Sequence, residues 1–200
     1  MEFEEIYKLI SQITIVPKHK CKVLFDYATI ASSLEGDFFE CGVYKGGTSM
    51  MLSNIINPKN TLHLFDTFEG MPEVNTKFDN YHKKGDFSNT SLESVSKNVN
   101  SITKCPVLFY KGFIPDTFKQ IPENQKISFA HIDVDIYQSI KDCCEFIYPR
   151  MVEYGVIVFD DYMTPSCEGA KIATDNFFKD KPGKLIALST QQAIYINPPR

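Results

Sequence analysis

The sequence predicts an α/β fold: a doubly wound, mostly parallel sheet with an antiparallel carboxyl-terminal edge, preceded by amino-terminal helices. Three observations carry this. Short apolar runs at Asp37 to Val43, Thr61 to Phe65, Val107 to Tyr110, Ile127 to Ile132 and Val156 to Phe159 read as strands buried on both faces. Stretches of helical period lie between them, so strand and helix alternate. Two of the runs end in paired acids, Asp133/Asp135 and Asp160/Asp161, at the edge where ligands bind in open α/β sheets.

The elements follow in order. Phe3 to Gln12 and Lys20 to Leu34 read as helices separated at Val16-Pro17, because the residue before a proline is pushed out of the helical region. The first strand turns through Tyr44-Lys45-Gly46-Gly47 into a helix from Thr48 to Ile56, and the second strand ends at Asp66. A polar segment with several turn signals follows, and a loop of that length in a compact domain is functional or disordered; Glu69 to Asn89 is expected to be a mobile active-site loop. Ser91 to Asn100 is a helix, the third strand ends at Lys111-Gly112, and Thr117 to Ile121 is a short helix. Tyr137 to Met151 has apolar residues at Ile140, Cys143, Cys144, Ile147 and Met151, close to helical period. As a right-handed crossover it would set the two acid-tipped strands together. A helix from Cys167 to Phe178 precedes two closing strands, Lys184 to Leu188 and Gln192 to Ile196, after a turn at Pro182-Gly183.

Two hundred residues suit one domain (1–200), with 1–36 as a helical extension. The net charge is -4, and Lys18 to Lys22 is too short to follow a phosphate backbone, so nucleic acid is not expected. No apolar run approaches a membrane span and the amino terminus lacks a signal-peptide layout; a cytoplasmic protein is expected. The six cysteines show no metal-type spacing, and read as reduced structural thiols.

Converging carboxylates repel one another unless a cation neutralises them, and hard divalent cations prefer oxygen ligands while keeping places for water and substrate. An open metal site, with Mg²⁺ or another divalent cation, is therefore expected at the acid-tipped edge. The turn Glu40-Cys41-Gly42-Val43-Tyr44-Lys45-Gly46-Gly47-Thr48 follows a strand and opens a helix, as a cofactor-binding turn does, although it is neither a dinucleotide fingerprint nor a Walker loop. Asp66 is placed to bond ribose hydroxyls, and Glu40 disfavours a phosphate but suits an ammonium group. A ribose, an amino group and no phosphate describe S-adenosylmethionine.

The segments FECGVYKGGTSMML, LFDTFEGMPE, GDFSNT, VLFYKGFIPDTF, HIDVDIYQSIKDCCEFIYPRM and GVIVFDDYMTPSCEGAKIATDNF resemble the successive motifs of the macrocin-type sugar O-methyltransferases, from about Asp37 to Phe178. The resemblance implies a class I, Rossmann-like methyltransferase fold and methyl transfer to a hydroxyl of a small molecule, often a sugar. It implies Asp133, Asp160 and Asp161 as metal ligands, with Asp133 also in the catalytic set and Asp135 as general base. It implies Glu40, Tyr44 and Thr48 against the methionine part of the cofactor and Asp66 against its ribose; Gly42 and Gly46 of the turn and Gly112 after the third strand complete the expected cofactor-binding set. The catechol-type relatives carry a lysine base three residues after the first metal acid; Ile136 stands there, which leaves Asp135 as the better base and His82, in the long loop, as the alternative. In relatives the amino-terminal region forms acceptor and oligomer contacts, so a homo-oligomer is compatible with the resemblance. Two other readings are a metal-dependent glycosyltransferase, since Asp133-Val134-Asp135 is a DxD, and a non-catalytic binding module.

Overall fold

The structure is a computed structural model that describes residues 1–199. Its frame is a seven-stranded sheet of β1 (Asp37–Cys41), β2 (Leu62–Asp66), β3 (Val107–Lys111), β4 (Ile127–Ile132), β5 (Met151–Phe159), β6 (Leu185–Ala187) and β7 (Ala193–Ile196), in the order β3-β2-β1-β4-β5-β7-β6. The first five are parallel; β7 runs antiparallel to both β5 and β6. The expected doubly wound sheet with an antiparallel edge is what forms.

Strand alternation divides the core in two. Phe38, Leu64, Phe129, Val156 and Val158 face one layer, built by α1 (Phe3–Ile10), α2 (Lys18–Ala31), α3 (Gly47–Leu52) and α4 (Leu92–Asn100). Phe39, Phe65, Ala130, Ile132, Ile157 and Phe159 face the other, closed by α5 (Tyr137–Ile147) and α6 (Glu168–Phe178). Fully burying side chains of this size contributes about 1.5–3 kcal/mol each. The amino-terminal helices are thus one wall of the core, not an appendage: Ile6, Ile10, Leu24 and Ala28 have essentially no exposure.

Element boundaries differ from expectation where proline and glycine intervene. The crossover helix ends at Ile147 and a 3-10 turn carrying Pro149 replaces its predicted last turn, because proline cannot continue the helical ladder. Strand β5 starts at Met151, not Val156, but bulges away from β4 between Met151 and Val156 through Tyr154, whose φ is 62°. The segment from Glu69 to Asn89 is irregular and forms a strap tied by hydrogen bonds. Met71 N donates to Asp86 O at 2.8 Å and Gly85 N to Met71 O at 3.0 Å, while buried Asp79 accepts from Tyr137 N at 3.0 Å and pins the strap to the start of α5.

The register aligns the carboxyl ends. Cys41 pairs with Phe65 and Ile132, and Ile132 pairs with Phe159. The ladder continues one residue further, with Gly42 N donating to Phe65 O at 3.0 Å, Asp133 N to Cys41 O at 2.8 Å and Asp160 N to Ile132 O at 3.0 Å. Strand hydrogen bonds therefore hold these residues level along one edge. A Cβ on Gly42, whose φ is 86°, would stand 1.7 Å from the Asp133 carbonyl oxygen. Gly42→Ala should consequently destabilise the protein by more than about 3 kcal/mol in thermal or urea unfolding. Gly85→Ala, at the same φ of 86° but with open space around it, should cost only about 1 kcal/mol; equal losses would contradict the steric account.

Candidate active site

The aligned edge opens into a cavity of about 380 Å³, within the range of small-molecule sites. Asp66 and the glycine turn line it together with Asp133, Asp135, Asp160 and Asp161, and the strap contributes Tyr81 and His82.

On the turn side, Asp66 Oδ2 accepts from the backbone N–H groups of Val43 (2.7 Å) and Tyr44 (2.9 Å), and Oδ1 from Phe68 (2.7 Å). A carboxylate has about four acceptor positions, so Asp66 shapes the turn and keeps capacity for a ligand hydroxyl. Tyr44, at φ 51°, donates its hydroxyl to Asn89 at 2.7 Å and so joins the turn to the strap. Gly42, Tyr44, Thr48 and Gly112 line the cavity.

Two of the expected cofactor residues are placed otherwise. Glu40 is fully buried: its carboxylate accepts a short bond from the Ser49 hydroxyl, and Oε1 lies 2.9 Å from His131 Nδ1. The cause is register, since Glu40 pairs with His131 across β1 and β4 on the face covered by α2 and α3. Its expected contact with the cofactor ammonium is corrected to a supporting position beneath the turn. Gly46 faces α4, where an added Cβ would meet Val95 at 3.0 Å and Val99 at 3.2 Å; it seats the turn on the helix.

The crossover brings the acids together as expected, but it divides them differently. Carboxylate oxygens of Asp133, Asp135 and Asp161 all lie within 4.8 Å of one another. Asp160 turns inward, with Oδ2 3.0 Å from Lys20 Nζ, Oδ1 2.8 Å from Gln192 Nε2 and Oδ1 3.5 Å from His131 Nε2. The last separation is beyond a good hydrogen bond, so His131 acts on Asp160 mainly by charge. Each oxygen of Asp160 thus already has a protein partner, which sets it behind the other three acids, although it too lines the cavity. Lys20, 6% exposed, also donates to the Asp160 carbonyl at 2.9 Å and lies 3.0 Å from Asp161 Oδ1.

Electrostatics follow from this division. Burial works against the Lys20 ammonium, but the Asp160 and Asp161 carboxylates outweigh it and raise its pKa. Burial would likewise raise Asp160, yet His131 and Lys20 hold it below the ordinary carboxylate range. Asp133 is pushed well up by burial and by Asp160 and Asp161, and Asp135 by burial and Asp161. One ammonium does not neutralise the group. Three oxygen donors at cation-binding separation with unbalanced charge fit a hard divalent cation.

Comparison with known proteins agrees with this architecture. The sequence profile described as Macrocin-O-methyltransferase (TylF) matches residues 16–183. A Streptomyces olivaceus protein, 8-demethyl-8-(2,3-dimethoxy-alpha-L-rhamnosyl)-tetracenomycin-C 4'-O-methyltransferase, is 28% identical over 153 residues, covering 70% of this chain and 58% of its own length. Demethyldecarbamoylnovobiocin O-methyltransferase of Streptomyces niveus is 27% identical over 162 residues, covering 74% and 60%. The chain thus spans about three fifths of the curated relatives it matches. Among solved structures, the O-methyltransferase NovP superposes with a TM-score of 0.81 at 22% identity, covering 94% of this chain and 83% of that one. The O-methyltransferase TomG from Streptomyces achromogenes, in complex with SAM, has a TM-score of 0.66 at 12% identity, covering 98% and 89%.

Two substitutions test the charge balance. Asp133 and Asp135 ionise at ordinary values when unfolded but at raised values when folded, so the folded state holds more protons between them and stability falls as pH rises through that window. Asp133→Asn should therefore raise the melting temperature in chelator at neutral pH by about 2–4 °C per kcal/mol of relieved repulsion, and flatten the pH slope. Lys20→Met should lower metal-free stability by roughly 3–5 kcal/mol by stripping a buried partner. It should also tighten Mg²⁺ binding about tenfold in calorimetry, since a competing positive charge is gone.

Proposed function

We propose that this chain, which belongs to the macrocin-O-methyltransferase family, transfers a methyl group from S-adenosylmethionine to a hydroxyl on the sugar part of a small glycosylated molecule, with a divalent cation bound at its acidic edge. The observation that carries the reading is the meeting of Asp133, Asp135 and Asp161 on a cavity that Asp66 and the glycine turn also line. The relatives' own names as sugar and antibiotic O-methyltransferases support the reaction class and the acceptor class, and a neighbour of the same fold bound to SAM supports the donor.

When bound, S-adenosylmethionine supplies the methyl group on a sulfonium, and Mg²⁺ or a similar cation lowers the pKa of the acceptor hydroxyl. Asp133 and Asp161 are the carboxylates that would hold the cation, with Asp135 on the same rim. Asp66 offers its remaining acceptor capacity to the ribose of the cofactor. Asp135, at the apex of a tight turn in which Ile136 N donates to Val134 O at 2.6 Å, accepts the acceptor's hydroxyl proton at a carboxylate oxygen. Its φ of 58° aims that carboxylate into the cavity. Asp160 and Lys20 fix the far side of the cluster, so Asp161 is held without drifting toward the core. The strap contributes Tyr81 and His82 to the cavity lining. His82, with Nε2 3.9 Å from Asp135 Oδ1, stands where it can relay the proton onward.

A cytoplasmic location belongs to this reading, supported by six buried free cysteines; among the described residues no helix is long and apolar enough to cross a membrane. Calorimetry should detect binding of S-adenosylmethionine and none of a sugar nucleotide; the reverse would favour the DxD glycosyltransferase. Methyl transfer to a panel of glycosylated acceptors, read by mass spectrometry with labelled cofactor, should stop on adding chelator. Asp135→Asn should lower kcat by about 10²–10⁴ while leaving cofactor affinity within a few-fold; turnover that survives both treatments would sink the mechanism.

A further inference from the structure

Beside the all-oxygen cluster lies a second group of different chemistry. His82 Nε2 is 3.4 Å from Cys167 Sγ, Cys167 Sγ is 3.5 Å from Asp135 Oδ1, and His82 Nε2 is 3.9 Å from Asp135 Oδ1. The three side chains come from three elements: the strap, the cap of α6 and the turn after β4. Metal–ligand bonds of about 2.3 Å to sulfur and 2.0–2.2 Å to nitrogen or oxygen, in tetrahedral array, put neighbouring ligand atoms about 3.3–3.6 Å apart. Two of the three separations here lie in that span and the third is slightly wider. All three residues line the cavity, which leaves a fourth position facing it.

We propose that His82, Asp135 and Cys167 form a binding site for a borderline-soft divalent cation of the Zn²⁺ type, distinct from the carboxylate site of Asp133 and Asp161. Thiolate, imidazole and one carboxylate are the donors such a cation prefers, whereas Mg²⁺ favours oxygen alone. The scaffold holds each donor in place. Cys167 N donates to Thr164 O at 2.9 Å, Asp135 sits on its tight turn, and His82 Nδ1 faces Asp86 Oδ2 at 3.7 Å as an outer carboxylate behind a ligating imidazole. On binding, the Cys167 S–H bond breaks, its proton passes to solvent, and the thiolate sulfur bonds the metal. Ordinary thiol inertness in this buried place, where burial and Asp135 disfavour the thiolate, is overcome by the cation's own charge. A consequence that rests on the proposed function is inhibition: Asp135 bound in this way no longer accepts the acceptor's proton.

The test uses the full chain, stripped of metal and then saturated with Mg²⁺, without cofactor or acceptor, so that its result does not depend on methyl transfer. Titration with Co²⁺ should produce a thiolate-to-cobalt charge-transfer absorption that saturates at one equivalent and is abolished by adding Zn²⁺. Cys167→Ser should lose that absorption, and His82→Gln should keep it with affinity weakened at least about tenfold. Co²⁺ binding without a charge-transfer band in the unsubstituted protein, or Zn²⁺ affinity unchanged in Cys167→Ser, would overturn the site.

Discussion

Four carboxylates at one edge of a sheet, with a single buried ammonium among them, set the terms for the rest of this molecule. Strand register is what forces the crowding, because β1, β4 and β5 end level, and the last carbonyls of β1 and β4 accept from Asp133 N and Asp160 N, the residues that begin the acid pairs. Repulsion of this kind is tolerated in a folded protein only when packing elsewhere over-determines it. Here the two apolar layers do so. Perturbed acids in a cavity are a common mark of function, and in this protein their cause is traceable to particular neighbours.

The cluster is graded from inside to outside. Asp160 is bonded to Lys20 and Gln192, with the His131 ring 3.5 Å away; Asp161 is shared between Lys20, Thr164 and the rim; Asp133 and Asp135 are left with raised pKa values. An arrangement that fastens one carboxylate and leaves others reactive lets four like residues serve different ends. Glu40 and His131 extend the fastened part across two strands, so the glycine turn and the acid cluster rest on one buried polar foundation.

Much of this was legible in the sequence, for physical reasons. The buried strands, the crossover between the acid pairs and the antiparallel edge follow from period, length and turn residues, and the acids at strand ends follow from where parallel strands meet solvent. Side-chain partners across the sheet were not legible, because register is a tertiary property. Glu40 faces His131 only once β1 lies beside β4, and the apolar run around His131 hides it. Lys20 stands in a short basic stretch that signals nothing by itself, while α2 turns it inward to 6% exposure. Cys167, adjoining the cavity, carries no spacing signal at all; its neighbours His82 and Asp135 are 85 and 32 residues away. The boundary errors at Ile147 and Met151 reflect how Pro149 and the bulge at Tyr154 reshape an otherwise smooth apolar pattern.

The grip on Asp160 has a consequence in time. Lys20 is made before Gln192, which follows it by 172 residues, yet both bond the same carboxylate. Domains assemble as the chain emerges, and until the hairpin of β6 and β7 arrives, β5 has an open edge and Asp160 lacks its amide donor. The acidic edge therefore reaches its final charge distribution only once β6 and β7 have been made. A nascent chain would meet cellular cations with its acids less tightly ordered than in the finished molecule, and docking of the hairpin is the event that fixes the site.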